Sequence, residues 1–442
     1  MRRRIIFDGQ ISVFFIELPN NCCNFADLIN NSSKNMTPYI QTLSNGLRVI
    51  CLPSPTNVVY CGFTVNTGTR DEMPEELGMA HFIEHMAFKG TKKRKAWHIL
   101  NRMELVGGEL NAYTTKEDTV FYTSCLSHDF ERAVELLSDI VFNGTFPQNE
   151  IEKEVGVILD EIKSYEDNPS ELIFDEFEGL LFQGDSLGNS ILGNADTLKS
   201  FGTADALKFK NRHYQPQNMV FFVFGGLDTK KIIRIAQKHL PGERPTSNCA
   251  GLRKPLSVYK PKTVVTNKET HQAHVMIGVR GYMETNPDRM GLYLLNNMLG
   301  GPGMNSRLNI TLREKKGLVY SAESNVTSYS DTGVFCIYFG CDFNDIDRCV
   351  SLSLKELKNF CDNTLSEIRL NAAKKQLIGQ IGVSSDSFEN IALGMGKKFL
   401  HNGYYETSQE LFKKIDNLTP SQLLRIANEI FNPDNLTTLI YR

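Results

Sequence analysis

The sequence predicts an α+β chain of two homologous domains, and three observations lead there. At 442 residues the chain is too long for one ordinary hydrophobic core. Strand-like runs rich in β-branched and aromatic residues alternate with helical stretches along its length. The plan of the first half also recurs in the second. HVMIGVRGYMETNPDRMGLYLLNNML copies the strand, turn and helix of CGFTVNTGTRDEMPEELGMAHFIEHMAF, and LSEIRLNAAKKQLIGQI copies FPQNEIEKEVGVILDEI. Self-similarity of this kind reads as an internal duplication, with domains of roughly 200 residues each.

Taken in order, residues 1–38 read as an irregular extension. Met1-Arg2-Arg3-Arg4 opens a stretch that Asp8, Gln10 and Glu17 interrupt before any signal-like apolar core forms. Asp8, Glu17 and Asp27 also argue against a mitochondrial presequence. A bacterial-type cytoplasmic location is therefore expected ahead of the mitochondrial matrix. The first domain is expected over 39–242. It begins with a hairpin turning at Asn45-Gly46, followed by the β-rich VVYCGFTVNTG and a helix around His81. A helix at 96–105, the break at Gly107-Gly108 and the strands ELNAYTT and TVFYTSCL come next. Helices at 129–141, 148–164, 169–182 and 203–214, a strand at 218–225 and a helix at 230–239 complete it. Residues 243–262, rich in Pro, Gly, Ser and Lys, read as a linker. The second domain is expected over 263–442.

Composition narrows the partners. Forty-eight basic against 51 acidic residues give a net charge of −3, which offers no electrostatic reason to expect nucleic acid. No apolar run approaches the roughly 18 residues that span a bilayer, so no membrane partner is expected. Ten cysteines form no C-x-x-C pair, and they read as reduced core thiols of a cytosol-like compartment.

The chemistry concentrates in His81-Phe82-Ile83-Glu84-His85. On a helix, residues three and four apart share a face, so two imidazoles and a carboxylate converge. Two neutral imidazoles can grip one zinc ion, and Glu84 can reach a water on it without being spent as a ligand. The order H-x-x-E-H is the inverzincin motif. Apolar Met79, Ala80, Phe82, Ile83, Met86, Ala87 and Phe88 surround the trio, which reads as a mostly buried helix rather than a solvated one. A third protein ligand is required. The helix at 148–164 offers Glu154, Asp160 and Glu161, of which Glu154 and Glu161 lie two turns apart on one face. In the second half, aligning Met298 with Met86 puts Tyr293, Asn296 and Asn297 where His81, Glu84 and His85 stand, so no second metal site is expected.

With these motifs the sequence resembles the pitrilysin-like (M16) metallopeptidases from about Thr42 onward. The likeness is to the short two-domain members, such as bacterial peptidases and the catalytic subunit of the mitochondrial processing peptidase. The resemblance implies two domains of the M16/LuxS-like metallohydrolase type, each a largely antiparallel sheet packed with helices. It also implies one zinc per chain held by His81, His85 and Glu161, with Glu84 as general base and Glu154 orienting a ligand histidine. In the repeat, Glu161 and Glu154 fall on Gln380 and Ala373. Arg313 and Tyr320 in LREKKGLVY match the family's arginine and tyrosine seven residues apart, groups suited to stabilising an oxyanion. The second domain is thus expected to supply this pair. Glu109-Leu110-Asn111-Ala112-Tyr113 resembles the family's edge strand, where an extended peptide adds by backbone pairing, with Asn111 and Ala112 beside the substrate.

The implied activity is a zinc-dependent endopeptidase cutting short or unfolded peptides in an enclosed chamber. The alternatives are a non-catalytic scaffold or core-type subunit, or a peptidase specialised in precursor processing. Scaffold relatives lose ligands, whereas all four motif residues stand here. A chamber in this family needs four domains, so a homodimer with composite active sites is expected.

Overall fold

The computed structural model describes residues 37–240 and 253–442. Residues 1–36 of the expected extension and 243–252 of the expected linker lie outside the described residues.

The first hairpin forms where a polar turn separates two apolar runs. β1 (Tyr39–Thr42) pairs antiparallel with β2 (Arg48–Pro53). Gly46 takes the left-handed φ of +85°, and the Leu47 N–H donates to Asn45 Oδ1 at 3.0 Å. β3 (Val58–Val65), β4 (Glu109–Thr114), β5 (Thr119–Leu126) and β6 (Met219–Gly225) extend the sheet in the order β1-β2-β6-β3-β5-β4. Only β2 and β6 run parallel. All seven residues of β6, MVFFVFG, are buried, as a central strand covered on both faces requires. β4 ends the sheet and keeps one edge unpaired among the described strands.

Eight helices accompany these strands: α1 (Met79–Met86), α2 (Ala96–Glu104), α3 (Phe130–Asn143), α4 (Gln148–Glu166), α5 (Pro169–Leu181), α6 (Ala195–Ser200), α7 (Thr203–His213) and α8 (Thr229–His239). The six-residue α6 escapes sequence reading because it is too short to display a helical period.

The second half repeats the design. β7 (Thr263–Thr266), β8 (Ala273–Gly281), β9 (Val319–Ser328), β10 (Gly333–Cys341) and β11 (Thr437–Tyr441) order as β7-β11-β8-β10-β9, with β7 and β11 parallel. Once the extra leading strand β1 is set aside, the last strand of each repeat enters between its first and second and the third takes the edge, β2-β6-β3-β5-β4 against β7-β11-β8-β10-β9. The permutation is identical, as duplication demands. Helices α9 (Arg289–Gly300), α10 (Ile346–Asp362), α11 (Glu367–Ser384), α12 (Phe388–Asn402), α13 (Ser408–Asp416) and α14 (Pro420–Ile430) complete the chain. No described helix is long and apolar enough to cross a membrane.

Two compact units result, and neither is a continuous stretch. The first takes 37–155, 196–240 and 387–405; the second takes 156–195, 253–386 and 406–442. α12 therefore belongs to the first unit, where Ala392, Met395 and Phe399 form a stripe packed with Ile50, Val120, Val220, Phe222 and Phe224. A Cβ at Gly396 would meet the Phe222 ring at 2.6 Å and Thr64 Oγ1 at 2.7 Å, so only glycine lets this helix lie so close to the sheet. α5 makes the reciprocal contribution in the second unit, burying Ile173, Phe177 and Leu181 with Met276, Tyr329, Cys336 and Leu439.

A polar contact fastens the end of α12. His401 Nε2 lies 2.5 Å from Oδ1 of the fully buried Asp118, in the turn between β4 and β5, and Lys397 Nζ lies 3.3 Å from Oδ2. Burial alone would lower the His401 pKa, but the Asp118 carboxylate outweighs it and raises the value, with Glu117 adding and Lys397 opposing. A raised histidine pKa contributes stability that is complete below the unfolded value of about 6.5 and is lost as pH climbs through the folded-state value. The melting-temperature gap between the native chain and His401→Gln should be widest near about pH 6 and shrink towards about pH 8. Thermal melts across that range check it, and a gap that widens in alkali contradicts it.

Candidate metal centre

The eight residues MAHFIEHM of α1 begin at Gly78, whose φ of +90° and missing side chain provide no cap. Glu72 provides one instead. Its Oε2 accepts the Gly78 N–H and its Oε1 the Ala80 N–H, each at 2.8 Å, satisfying donors that a helix start leaves open. Burial pushes the Glu72 carboxyl well above the usual range, against the pull of these two N–H groups. Two residues earlier, Arg70 pairs with Glu117 at 2.6 Å, both side chains buried, and its N–H donates to the Lys116 carbonyl at 2.9 Å. The approach to α1 is thus fastened to the β4–β5 turn.

Apolar packing fixes the rotation of α1. Met79, Ala80, Phe82, Ile83 and Met86 are buried, and the Phe82 ring sits 5.3 Å from that of Phe201. His81 is buried, whereas Glu84 and His85 are partly exposed. The imidazole centroids of His81 and His85 are 4.4 Å apart. α4 supplies both acids from one unbroken helix. Donor atoms of His81, His85 and Glu161 all lie within 4.8 Å of one another, and among the described residues no other group of three His, Cys, Asp or Glu side chains is so placed. Glu154 Oε1 lies 2.9 Å from His85 Nδ1, and its Oε2 is ion-paired with Lys89. Burial works to raise the Glu154 carboxyl, but the bonds to His85 and Lys89 prevail and hold it below its ordinary value.

This donor set fits zinc. Two imidazoles and one carboxylate are the ligands of a catalytic zinc that keeps a fourth position open. With Glu154 on Nδ1, Nε2 is the His85 nitrogen that would serve as the ligand atom. The spacing argument could not separate Asp160 from Glu161; the geometry brings Glu161, and Asp160 instead pairs with Lys163 at 3.2 Å in solvent.

The other sequence-derived residues lie as follows. Asn111, exposed, and Ala112, partly exposed, are on the edge strand β4, beside which α1 packs. Arg313 sits on a π-helical turn (Asn309–Glu314) and Tyr320 near the start of β9, with the guanidinium 5.8 Å from the ring centroid. The Tyr320 side chain is 88% exposed, available to a ligand rather than to a core. Three residues escaped the sequence reading: Glu72, Lys89 and Tyr214. Burial raises the Tyr214 hydroxyl, and the nearby Glu84 charge adds to that. None of the three belongs to a spaced motif: Glu72 and Lys89 reach α1 through the turns that flank it, and Tyr214 through tertiary packing.

An α+β duplication bearing an H-x-x-E-H helix and a glutamate from the following long helix defines a metallopeptidase-like class, and comparison with known proteins gives the family. Residues 48–195 match the family described as Insulinase (Peptidase family M16), and 200–377 match the Peptidase M16 inactive domain. An uncharacterized zinc protease of Bacillus subtilis, YmxG, is 33% identical over 401 residues, covering 90% of this chain and 97% of its own. One from Rickettsia bellii is 32% identical over 407 residues, covering 91% and 97%. The chain belongs to peptidase family M16, in its short two-domain bacterial form. The crystal structure of a protease from Helicobacter pylori superposes with a TM-score of 0.84 at 23% identity, covering 92% of this chain and 99% of that one. A peptidase M16 inactive domain from Pseudomonas fluorescens gives 0.84 at 20% identity, covering 92% and 97%. Both likenesses are of fold.

Proposed function

We propose that the chain is a zinc-dependent endopeptidase that hydrolyses short or unfolded peptides laid along β4 as an added strand. The observation that carries this reading is the convergence of His81, His85 and Glu161 with Glu84 on the same short helix. His81, His85 and Glu161 would hold the zinc, which when bound would supply a Lewis acid for the scissile carbonyl and lower the pKa of water towards neutrality. Glu84 accepts the proton of the attacking water and passes it to the leaving amine. Glu154 holds His85 in the tautomer that leaves Nε2 for coordination. The free edge of β4 recognises the peptide backbone rather than a particular side chain, with Asn111 and Ala112 next to the scissile bond. Arg313 and Tyr320 stabilise the negative charge that builds on the carbonyl oxygen. In our reading they come from a second copy of the chain, so that a homodimer encloses the substrate and each site is composite.

Three outcomes test this. The native chain should retain one zinc per chain through dialysis against a mild chelator, and Glu161→Gln should lose most of it, since two histidines alone leave the shell too open. Metal analysis decides, and full occupancy in the variant removes Glu161 from the ligand set. Glu84→Gln should keep zinc while peptide hydrolysis drops by a factor on the order of a hundred or more; near-normal turnover by the zinc-loaded variant would end the general-base role. Mixing Glu84→Gln with Tyr320→Phe chains under conditions of subunit exchange should restore roughly a quarter of native activity, because half the dimers regain one intact site. No recovery after verified exchange rules out the composite site.

A further inference from the structure

We propose that Lys89 is a positioning residue of the metal centre: by holding the outer oxygen of Glu154, it keeps the inner oxygen on His85 Nδ1 and so fixes the plane of the His85 imidazole. The inference rests on the metal-site reading above and assigns a part to a residue outside the H-x-x-E-H motif.

The geometry is a relay of three side chains, one from α1, one from the turn after it and one from α4. His85 stands in the last turn of α1, and Lys89 follows four residues later, its N–H donating to the Met86 carbonyl at 3.1 Å. Lys89 lies past the end of the helix, in the turn that carries the chain from α1 to Gly90. Glu154 reaches them from α4 and is almost wholly buried, its side chain 2% exposed. One oxygen lies 2.9 Å from His85 Nδ1 and the other is ion-paired with Lys89 Nζ. The terminal torsion of a glutamate is soft and roughly two-fold, so a carboxylate held at one oxygen can still swing. With both oxygens engaged from different directions it cannot swing without breaking a contact. An imidazole hydrogen-bonded to a fixed oxygen has its ring plane fixed as well, and partners of this kind tune how well a ligand histidine serves its metal.

Lys89 could instead be an ordinary ion pair that joins the end of α1 to α4. That role would alter melting temperature and leave metal affinity alone, so affinity is the informative measurement. The test uses the full chain, with zinc titrated against a chromophoric chelator, and cobalt(II) absorption as a second readout of ligand geometry. Lys89→Met keeps the length of the side chain and removes its charge. It should weaken zinc retention about tenfold, the lower end of what loss of such outer partners costs, and shift the cobalt bands. Lys89→Arg, which keeps a cation within reach of Glu154, should restore both. In a Glu154→Gln background, Lys89→Met should have no further effect, because Lys89 acts only through that carboxylate. If Lys89→Met does not fold, Lys89→Gln is read by the same titration. Zinc affinity within about twofold of native in a folded, charge-removed variant overturns the proposal, as does an equal loss in the Glu154→Gln background. A native chain that binds no zinc, or a Glu161→Gln chain that binds it as tightly as the native one, instead overturns the metal-site reading itself.

Discussion

An eight-residue helix cannot hold itself together in water, and the chemistry inferred for this protein depends on α1 staying where it is. α1 has a glycine at its N-cap and only eight residues. What stabilises it comes from outside: two hydrogen bonds accepted by Glu72 at its start, the packing of Phe82, Ile83 and Met86 along its length, and Glu154 at its end. Leaving a buried N–H without a partner costs about 1–3 kcal/mol, so the two bonds of Glu72 are a substantial part of what keeps the helix wound. Because Glu72 follows Arg70, whose ion pair reaches the β4–β5 turn, the start of α1 is registered on the sheet that β4 ends.

The second repeat shows what the same scaffold does once these demands are lifted. Its five strands follow the order of β2 to β6, yet Tyr293, Asn296 and Asn297 replace the motif residues and Ala373 and Gln380 replace the two glutamates. At three of these five places an amide replaces an ionisable group, and burying a neutral amide is less costly than burying an uncompensated charge. Asn296 Oδ1 and Gln380 Oε1 are nevertheless buried without a protein hydrogen-bond partner among the described residues. Polarity remains at these places although the acids and imidazoles are gone. The match of 200–377 to a domain described as inactive accords with these replacements.

Much of this was readable in the sequence because helical spacing and β alternation are local. His81, Glu84 and His85 share a face by arithmetic alone, and the hairpin at Asn45-Gly46, the strands β4 and β5 and the helix α4 follow from turn residues and period. Glu161 needed more. A single helix presents Glu154, Asp160 and Glu161 as comparable candidates, and only a likeness to known peptidases, or the folded geometry, separates them. The Glu72 cap was invisible because it depends on the chain doubling back over six residues rather than on any periodic pattern. The insertion of β6 between β2 and β3 is a long-range pairing with no local signal. The apolar stripes of α5 and α12 identify a buried face, but nothing in either stripe names the sheet that buries it.

The crossing of α5 and α12 into opposite units bears on how such a chain is inherited and made. A sheet whose covering helix arrives from the other repeat is not finished when its own repeat has been synthesised, so the first sheet waits for residues 387–405 before its apolar face is closed. The two repeats therefore mature together. A single repeat with this layout would leave the apolar face of its sheet open unless a second copy supplied the covering helix.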